Sequence, residues 1–426
     1  MVMFPIRFVN GSDNPHAYNF YHWSLIDIFC YFSHHFVTIP PIGWINAAHV
    51  NGVSVLGTFI TEGDVGQAFC TEMLKDTEMI SRCSENLALI AKHHGFDGWL
   101  INIENVLESY QVEPMLNFVR NVRDDTKKYC GQKSLVIWYD SVIHNGELKW
   151  QNELNSDNFK YFDASDGIYL NYNWTKEMLT NSYQLANKLN RPINSVYVGI
   201  DVFGRGCFGG GGWNCRAALE EIRNAHQDLS VAIFAPGWVH EVECKDDQSE
   251  FLTLNDKFWK SLSLPVRHFP REIPIRTTFC RGFGFNIFNG SKSQLRGWFN
   301  LAKQQPQLGN TSLACAFNTE QSFNGGGCIA LSETIELDLC RLSVTTNLCA
   351  TFVISPKSSL ISISAKYADN QRGRVFVNTP DTEETNNSWS IIQLDLQHAS
   401  DRLLTGFIFD ISEQLLIGSV SIDQPR

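Results

Sequence analysis

The chain has 426 residues, 43% of them hydrophobic and 19% charged, with a net charge near −11. This is the composition of a folded globular protein with room for two or three domains, and it excludes a disordered chain. The negative balance argues against nucleic acid, whose binding rests on Lys and Arg neutralising phosphates, and no run approaches the ~18–20 apolar residues of a membrane-crossing helix.

Met1-Val2-Met3-Phe4-Pro5-Ile6-Arg7 lacks the basic and then apolar pattern of a signal peptide, so the expectation is a cytosolic protein. The 12 cysteines are scattered through apolar stretches, as at Cys30, Cys70, Cys83 and Cys280, and read as free thiols rather than bridges.

In chain order, Leu25 to Phe32 and Val53 to Ile60 read as the first two strands, the second closing on Thr61-Glu62-Gly63. Between them lies an amphipathic segment through Trp44 to His49. Thr71 to His94 carries apolar residues near a 3.6-residue period and predicts one long helix, ended by Gly95. Gly98 to Glu104 is the third strand, and Pro114 opens the next helix. Ser134 to Asp140, Gly167 to Trp174, Val196 to Phe203 and Val231 to Ala235 follow as strands four to seven, alternating with helical patterns. Arg276 to Cys280 is the expected eighth strand.

Eight strands alternating with helices predict an α/β fold, a (β/α)8 TIM barrel over 1–302. A doubly wound open sheet is the competing arrangement. The barrel is preferred because polar residues recur at strand ends: Glu62, Asn102 and Glu104, Tyr139 and Asp140, Asn171 and Asn173, and Asp201. In a barrel those ends converge on one mouth. Residues 303–312 read as a linker, and 313–426 as a smaller all-β, sandwich-like domain of short alternating strands such as Ile335 to Leu342, Leu360 to Ala365 and Val375 to Val377. That domain is expected to brace the barrel rather than bind a ligand.

Gly204-Arg205-Gly206-Cys207-Phe208-Gly209 is a literal GxGxxG, but it lies two hundred residues into the chain and runs on into Gly210-Gly211-Gly212. A barrel loop that lets backbone approach a bulky ligand fits it better than a nucleotide loop. The adjacent pairs His34-His35 and His93-His94 diverge, and no CxxC occurs, so no metal site is expected.

Asn102 and Glu104 remain. Two residues apart on a strand, they point to one face, roughly 7 Å apart along the backbone. An ordinary glycosidase needs two carboxylates, ~5–5.5 Å apart for retention or ~6.5–9.5 Å for inversion. One carboxylate and one amide suit substrate-assisted catalysis instead, in which the sugar's own 2-acetamido oxygen attacks the anomeric carbon. On spacing alone, the simpler alternative that both merely end a strand is the stronger.

Asp97-Gly98-Trp99-Leu100-Ile101-Asn102-Ile103-Glu104 resembles the catalytic strand of glycoside hydrolase family 85, the endo-β-N-acetylglucosaminidases. Tyr31-Phe32-Ser33-His34, Ile39-Pro40-Pro41, Trp44 with Ala48-His49, Val55 to Glu62, Trp138-Tyr139-Asp140-Ser141 and Gly204-Arg205-Gly206 resemble it too, over about Trp23 to Gly284. Ser322 to Gly327 is similar to the family's carboxyl-terminal β region.

The resemblance implies hydrolysis of the β-1,4 bond in the N,N′-diacetylchitobiose core of N-glycans, on glycoproteins or free oligosaccharides, through an oxazolinium with retention and without a cofactor. It implies Glu104 as general acid/base, Asn102 as the group orienting the acetamido nucleophile and Tyr139 as a hydroxyl beside it. Trp150 and Trp174 would line the sugar cleft, and Glu62, Asn171 and Asp201 are further expected substrate contacts. The alternatives are a chitinase-like family 18 hydrolase, which would carry acidic residues where this chain has Leu100 and Asn102, and an inactive glycan-binding barrel.

Overall fold

Near-continuous apolar runs demand burial on both faces, and a parallel sheet supplies it. In the computed structural model, residues 11–289, 292–307, 315–355, 361–369, 372–377, 389–396 and 402–425 are described, and they form two compact units. The first takes residues 28–40 and 54–263; the second takes 11–27, 41–53 and the described residues from Leu264 onward. Of the expected linker, residues 308–312 lie outside the described residues, as do residues 1–7 and Leu360.

The first unit contains β1 (Ile28–Cys30), β2 (Val37–Thr38), β3 (Ser54–Glu62), β4 (Gly98–Glu104), β5 (Leu135–Tyr139), β6 (Gly167–Leu170), β7 (Val196–Asp201) and β8 (Ser230–Phe234). The sheet order is β1-β3-β4-β5-β6-β7-β8, parallel throughout, with β2 antiparallel on β3. Helices follow most strands, including Gly63–Met73, Val112–Cys130, Lys176–Lys188, Cys215–Ala225 and Phe251–Ser261. Among the described residues no ladder joins β8 to β1. The Phe32 and Phe234 rings meet edge-to-face at 5.7 Å from those two strand ends.

This is the expected barrel architecture with seven parallel strands rather than eight. The predicted eighth, Arg276 to Cys280, is corrected: Ile275–Thr277 pairs antiparallel with Leu415–Asp423 in the second unit. Its burial alternates, with Ile275 and Thr277 inside and Arg276 out. That is the signature of a one-sided antiparallel sheet, and a barrel strand would have buried the arginine. The single helix predicted over Thr71 to His94 is also two. Gly63–Met73 ends, and Thr77–His94 restarts where the Asp76 carboxylate accepts the Met79 N–H at 2.7 Å.

Two features fix how β4 meets its neighbours. The Asp97 carboxylate accepts the Val55 N–H at 2.7 Å, which pins the start of β4 on β3. Gly98 has φ +152°, and a Cβ there would sit 1.8 Å from the Leu135 carbonyl oxygen, so only glycine lets β5 come this close.

The second unit is antiparallel. One six-stranded sheet includes Cys328–Leu331, Leu348–Ser355, Ser390–Leu396 and Leu415–Asp423; a four-stranded sheet is built from Ile335–Ser343, Leu403–Ile411, Ile361–Tyr367 and Arg372–Val377. Both contribute to one core, in which Phe352 of the first meets Phe407 and Phe409 of the second edge-to-face at 4.8 and 5.5 Å. Two sheets over a shared apolar layer make the sandwich expected from the short alternating strands.

Candidate active site

The carboxyl ends of the parallel strands carry Glu62 on β3, Asn102 and Glu104 on β4, Tyr139 on β5 and Asp201 on β7, and Asn171 directly follows β6. The β3–β4 register pairs Ile60 with Asn102 and Glu62 with Glu104. Asn102 is buried at 3% exposure and donates from Nδ2 to Glu104 Oε1 at 3.4 Å. Its Oδ1 is buried and has no hydrogen-bond partner among the described residues. A buried acceptor without a partner is costly, which sets this oxygen apart from the hydrogen-bonded Nδ2 of the same amide.

Glu104 is half-buried. Burial pushes its carboxyl above the usual range, the Asn102 hydrogen bond pulls it down, the Glu62 charge raises it and His34 opposes. His34 Nδ1 lies 2.8 and 2.9 Å from the two Glu62 oxygens.

Tyr139 donates its hydroxyl to Asn171 Oδ1 at 3.0 Å, and Asn171 Nδ2 donates to Asn152 Oδ1 at 2.9 Å. Burial first, then the nearby Tyr172 and Tyr169, push the Tyr139 phenol well up, so it stays a neutral hydroxyl. Asn152 is held in turn by Asp140, a fully buried carboxylate that accepts from the Gln151 and Asn152 amides and from Asn158 Nδ2. Burial outweighs those bonds and pushes Asp140 up to about 6. The Asp140–Asn152–Asn171 chain thus fixes where the Tyr139 hydroxyl points.

The other expected contacts are placed differently. Asp201 is fully buried, and Arg205 grips it through Nε at 2.8 Å and Nη2 at 3.0 Å, with the Phe203 and Arg205 amides beside it. Burial would raise its carboxyl, but the Arg205 bonds win and lower it. Asp201 therefore anchors the glycine-rich loop through Arg205. That loop folds back on itself: a Cβ on Gly204 would meet the Gly210 carbonyl oxygen at 2.1 Å. Trp174 is 4% exposed, gives its Nε1 proton to the Gly199 carbonyl at 2.7 Å and stacks on Phe208 at 5.3 Å. Trp150 is 42% exposed. The strand ends thus gather Glu62, Asn102 and Glu104 in one group and link Tyr139 to Asn171, while Trp174 serves as a buried support.

Sequence reasoning missed His34, Asn152 and Arg205 as members of this site. Arg205 lies four residues after Asp201, a spacing that could have been noticed; His34 and Asn152 lie 28 and 19 residues from their partners, beyond any local pattern. Among the described residues no group of three or more His, Cys, Asp or Glu could hold a metal ion, and no helix is long and apolar enough to cross a membrane.

The family model described as Glycosyl hydrolase family 85 matches residues 5–287. A Gallus gallus protein named cytosolic endo-beta-N-acetylglucosaminidase is 42% identical over 352 residues, 80% of this chain and 47% of the relative. The Homo sapiens protein of that name is 43% identical over 354 residues, 79% of this chain and 46% of the relative. The chain spans about half the length of the curated relatives it matches. Among solved structures, the glycoside hydrolase domain of Endo-D from Streptococcus pneumoniae shares the fold, with a TM-score of 0.81 at 19% identity, covering 100% of this chain and 74% of that one.

Proposed function

The chain belongs to glycosyl hydrolase family 85, and from that footing we propose that it cleaves the β-1,4 bond of the N,N′-diacetylchitobiose core of N-glycans and free oligosaccharides. The products are a glycan ending in one GlcNAc and an acceptor that keeps the other. The names of the relatives favour the cytosol as the place of action.

One observation carries the reading: a carboxyl held above its usual range lies beside an amide whose buried Oδ1 has no partner among the described residues. The 2-acetamido oxygen attacks the anomeric carbon while Glu104 gives its proton to the leaving oxygen, and the glycosidic C–O bond breaks. Asn102 Oδ1 accepts the acetamido N–H, steering the carbonyl towards the anomeric carbon and sharing the positive charge that develops on the group. The Tyr139 hydroxyl, oriented by Asn171, lies beside it. Water then attacks the oxazolinium at the same carbon, Glu104 takes back a proton, and the configuration is retained. A positioned general acid supplies about 10²–10⁴ in rate, and holding the internal nucleophile in line adds several kcal/mol.

Glu62 is the neighbouring carboxylate. It stands beside Glu104 on the adjacent strand, and both its oxygens lie within hydrogen-bond distance of His34 Nδ1. That arrangement favours the acetamido group over a protein carboxylate as nucleophile.

A fluorescent high-mannose glycopeptide tests the proposal. The expected result is a peptide that keeps a single GlcNAc, with the β anomer formed first. Turnover of chitin oligomers alone, or binding without turnover, would overturn it.

A further inference from the structure

Glu62 and His34 take no part in the bond-making steps above, yet they lie against the group that performs them. Glu62 ends β3 where Glu104 ends β4, and the two are register partners on parallel strands. Their side chains therefore leave the sheet on the same face, with backbones roughly 5 Å apart. His34 Nδ1 bridges both Glu62 oxygens, at 2.8 and 2.9 Å, which holds that carboxylate in one orientation. Two acidic groups placed side by side, one of them clamped by an imidazole, make an electrostatic unit.

Resting on the function proposed above, we propose that Glu62 is a positioning residue for the proton: its fixed negative charge keeps Glu104 protonated until the leaving oxygen arrives, and His34 orients that charge and tempers it. An ordinary glutamic acid has lost its proton well below neutral pH. Burial supplies the first correction at Glu104 and the Glu62 charge adds to it, while the Asn102 bond and His34 work the other way. The groups facing Glu104 are Glu62 from β3, His34 from the segment after β1, Asn102 on its own strand, Tyr139 from β5 and Tyr172 after β6. Both phenols are held neutral by burial, which leaves Glu62 and His34 as the neighbours whose charge acts on Glu104.

The arrangement serves both halves of the reaction. In the first, the proton passes from Glu104 to the leaving oxygen and two carboxylates are left adjacent. Their repulsion then favours recovery of a proton from the attacking water, which restores the starting state. The plainer possibility is that Glu62 only orders the His34 segment, and a near-isosteric change separates the two roles.

The test is the pH dependence of kcat/KM on the fluorescent glycopeptide for the parent chain, E62Q, E62D and H34Q. It is paired with the titration of the Glu104 carboxyl carbon by 13C NMR, assigned by its loss in E104Q. In E62Q the basic limb and the carboxyl midpoint are expected to move together to lower pH by about half a unit to one unit, the size of one partly solvated charge at this distance. E62D, which keeps the charge, should stay near the parent. H34Q, which keeps a donor but never a charge, should leave the midpoint in place or raise it. Coincident midpoints in the parent and E62Q would overturn the proposal, as would a downward shift in H34Q. If the parent fails to cleave the glycopeptide, the proposed function falls, and the carboxyl titration still judges Glu62.

Discussion

The Asp97 carboxylate reaches back 42 residues to accept the Val55 N–H at 2.7 Å, and the register it sets brings Glu62 alongside Glu104. A hydrogen bond to a charged group is worth about 1.5–3 kcal/mol. D97A is expected to lose stability of that order in urea unfolding, and D97N, which keeps an acceptor, less. Equal midpoints for parent and D97A would show that the register is set elsewhere.

E104Q preserves shape and removes the transferable proton. Hydrolysis should fall by about 10²–10⁴-fold with an unchanged melting temperature. Turnover near that of the parent would remove Glu104 from the chemistry.

N102A deletes the buried acceptor and the hydrogen bond to Glu104. Cleavage of the intact glycan should drop by about 10²-fold or more, in the range seen when one preorganised partner of a developing charge is lost. A preformed glycan oxazoline has already passed the step that Asn102 assists and should still be consumed. Equal loss on both substrates would contradict that role.

R205A strips the buried Asp201 carboxylate of its fork, leaving two backbone N–H partners. Breaking a buried ion pair costs about 3–5 kcal/mol; with the Arg205 end exposed and two backbone donors kept, the expected loss falls below that range. R205K should recover only part of it, because a compact ammonium lacks the planar fork that meets the two carboxylate oxygens along parallel N–H bonds. Full rescue by lysine would mean that charge alone, not the planar fork, holds the loop.

Asp140 sets a pH dependence. Its carboxyl is pushed from 3.8 to about 6, so the folded state holds this proton more tightly than the unfolded state. The stabilisation is complete below the unfolded value and is lost as pH rises through about 6. The stability difference between parent and D140N should therefore fall by about 2–3 kcal/mol across that window. A flat difference curve from acid to neutral pH would rule this out.

The seven parallel strands were legible because sequences such as Ser54–Glu62 and Gly98–Glu104 are mostly apolar runs, and the structure buries them on both faces. The placement of Asn102 and Glu104 at one strand end was legible because polar groups close an otherwise buried strand. The eighth strand misled because three residues beside Pro274 carry too little periodicity to assign a sheet. Trp174 misled because an indole that stacks on Phe208 and one that faces a sugar look the same in one dimension. Asp201 looked free because Arg205, which occupies both of its oxygens, read as part of a glycine motif.

The two units are interleaved along the chain, since 41–53 belongs with the late residues although β1 and β3 flank it. Trp23 gives its Nε1 proton to Gln304 Oε1, a partner synthesised 281 residues later. During translation that hydrogen bond cannot form until most of the polypeptide has been made, although Trp23 can already meet Phe20 and Trp44. A fragment stopped after Ser263 would never form that bond, so the barrel and the sandwich cannot be obtained separately by a single cut.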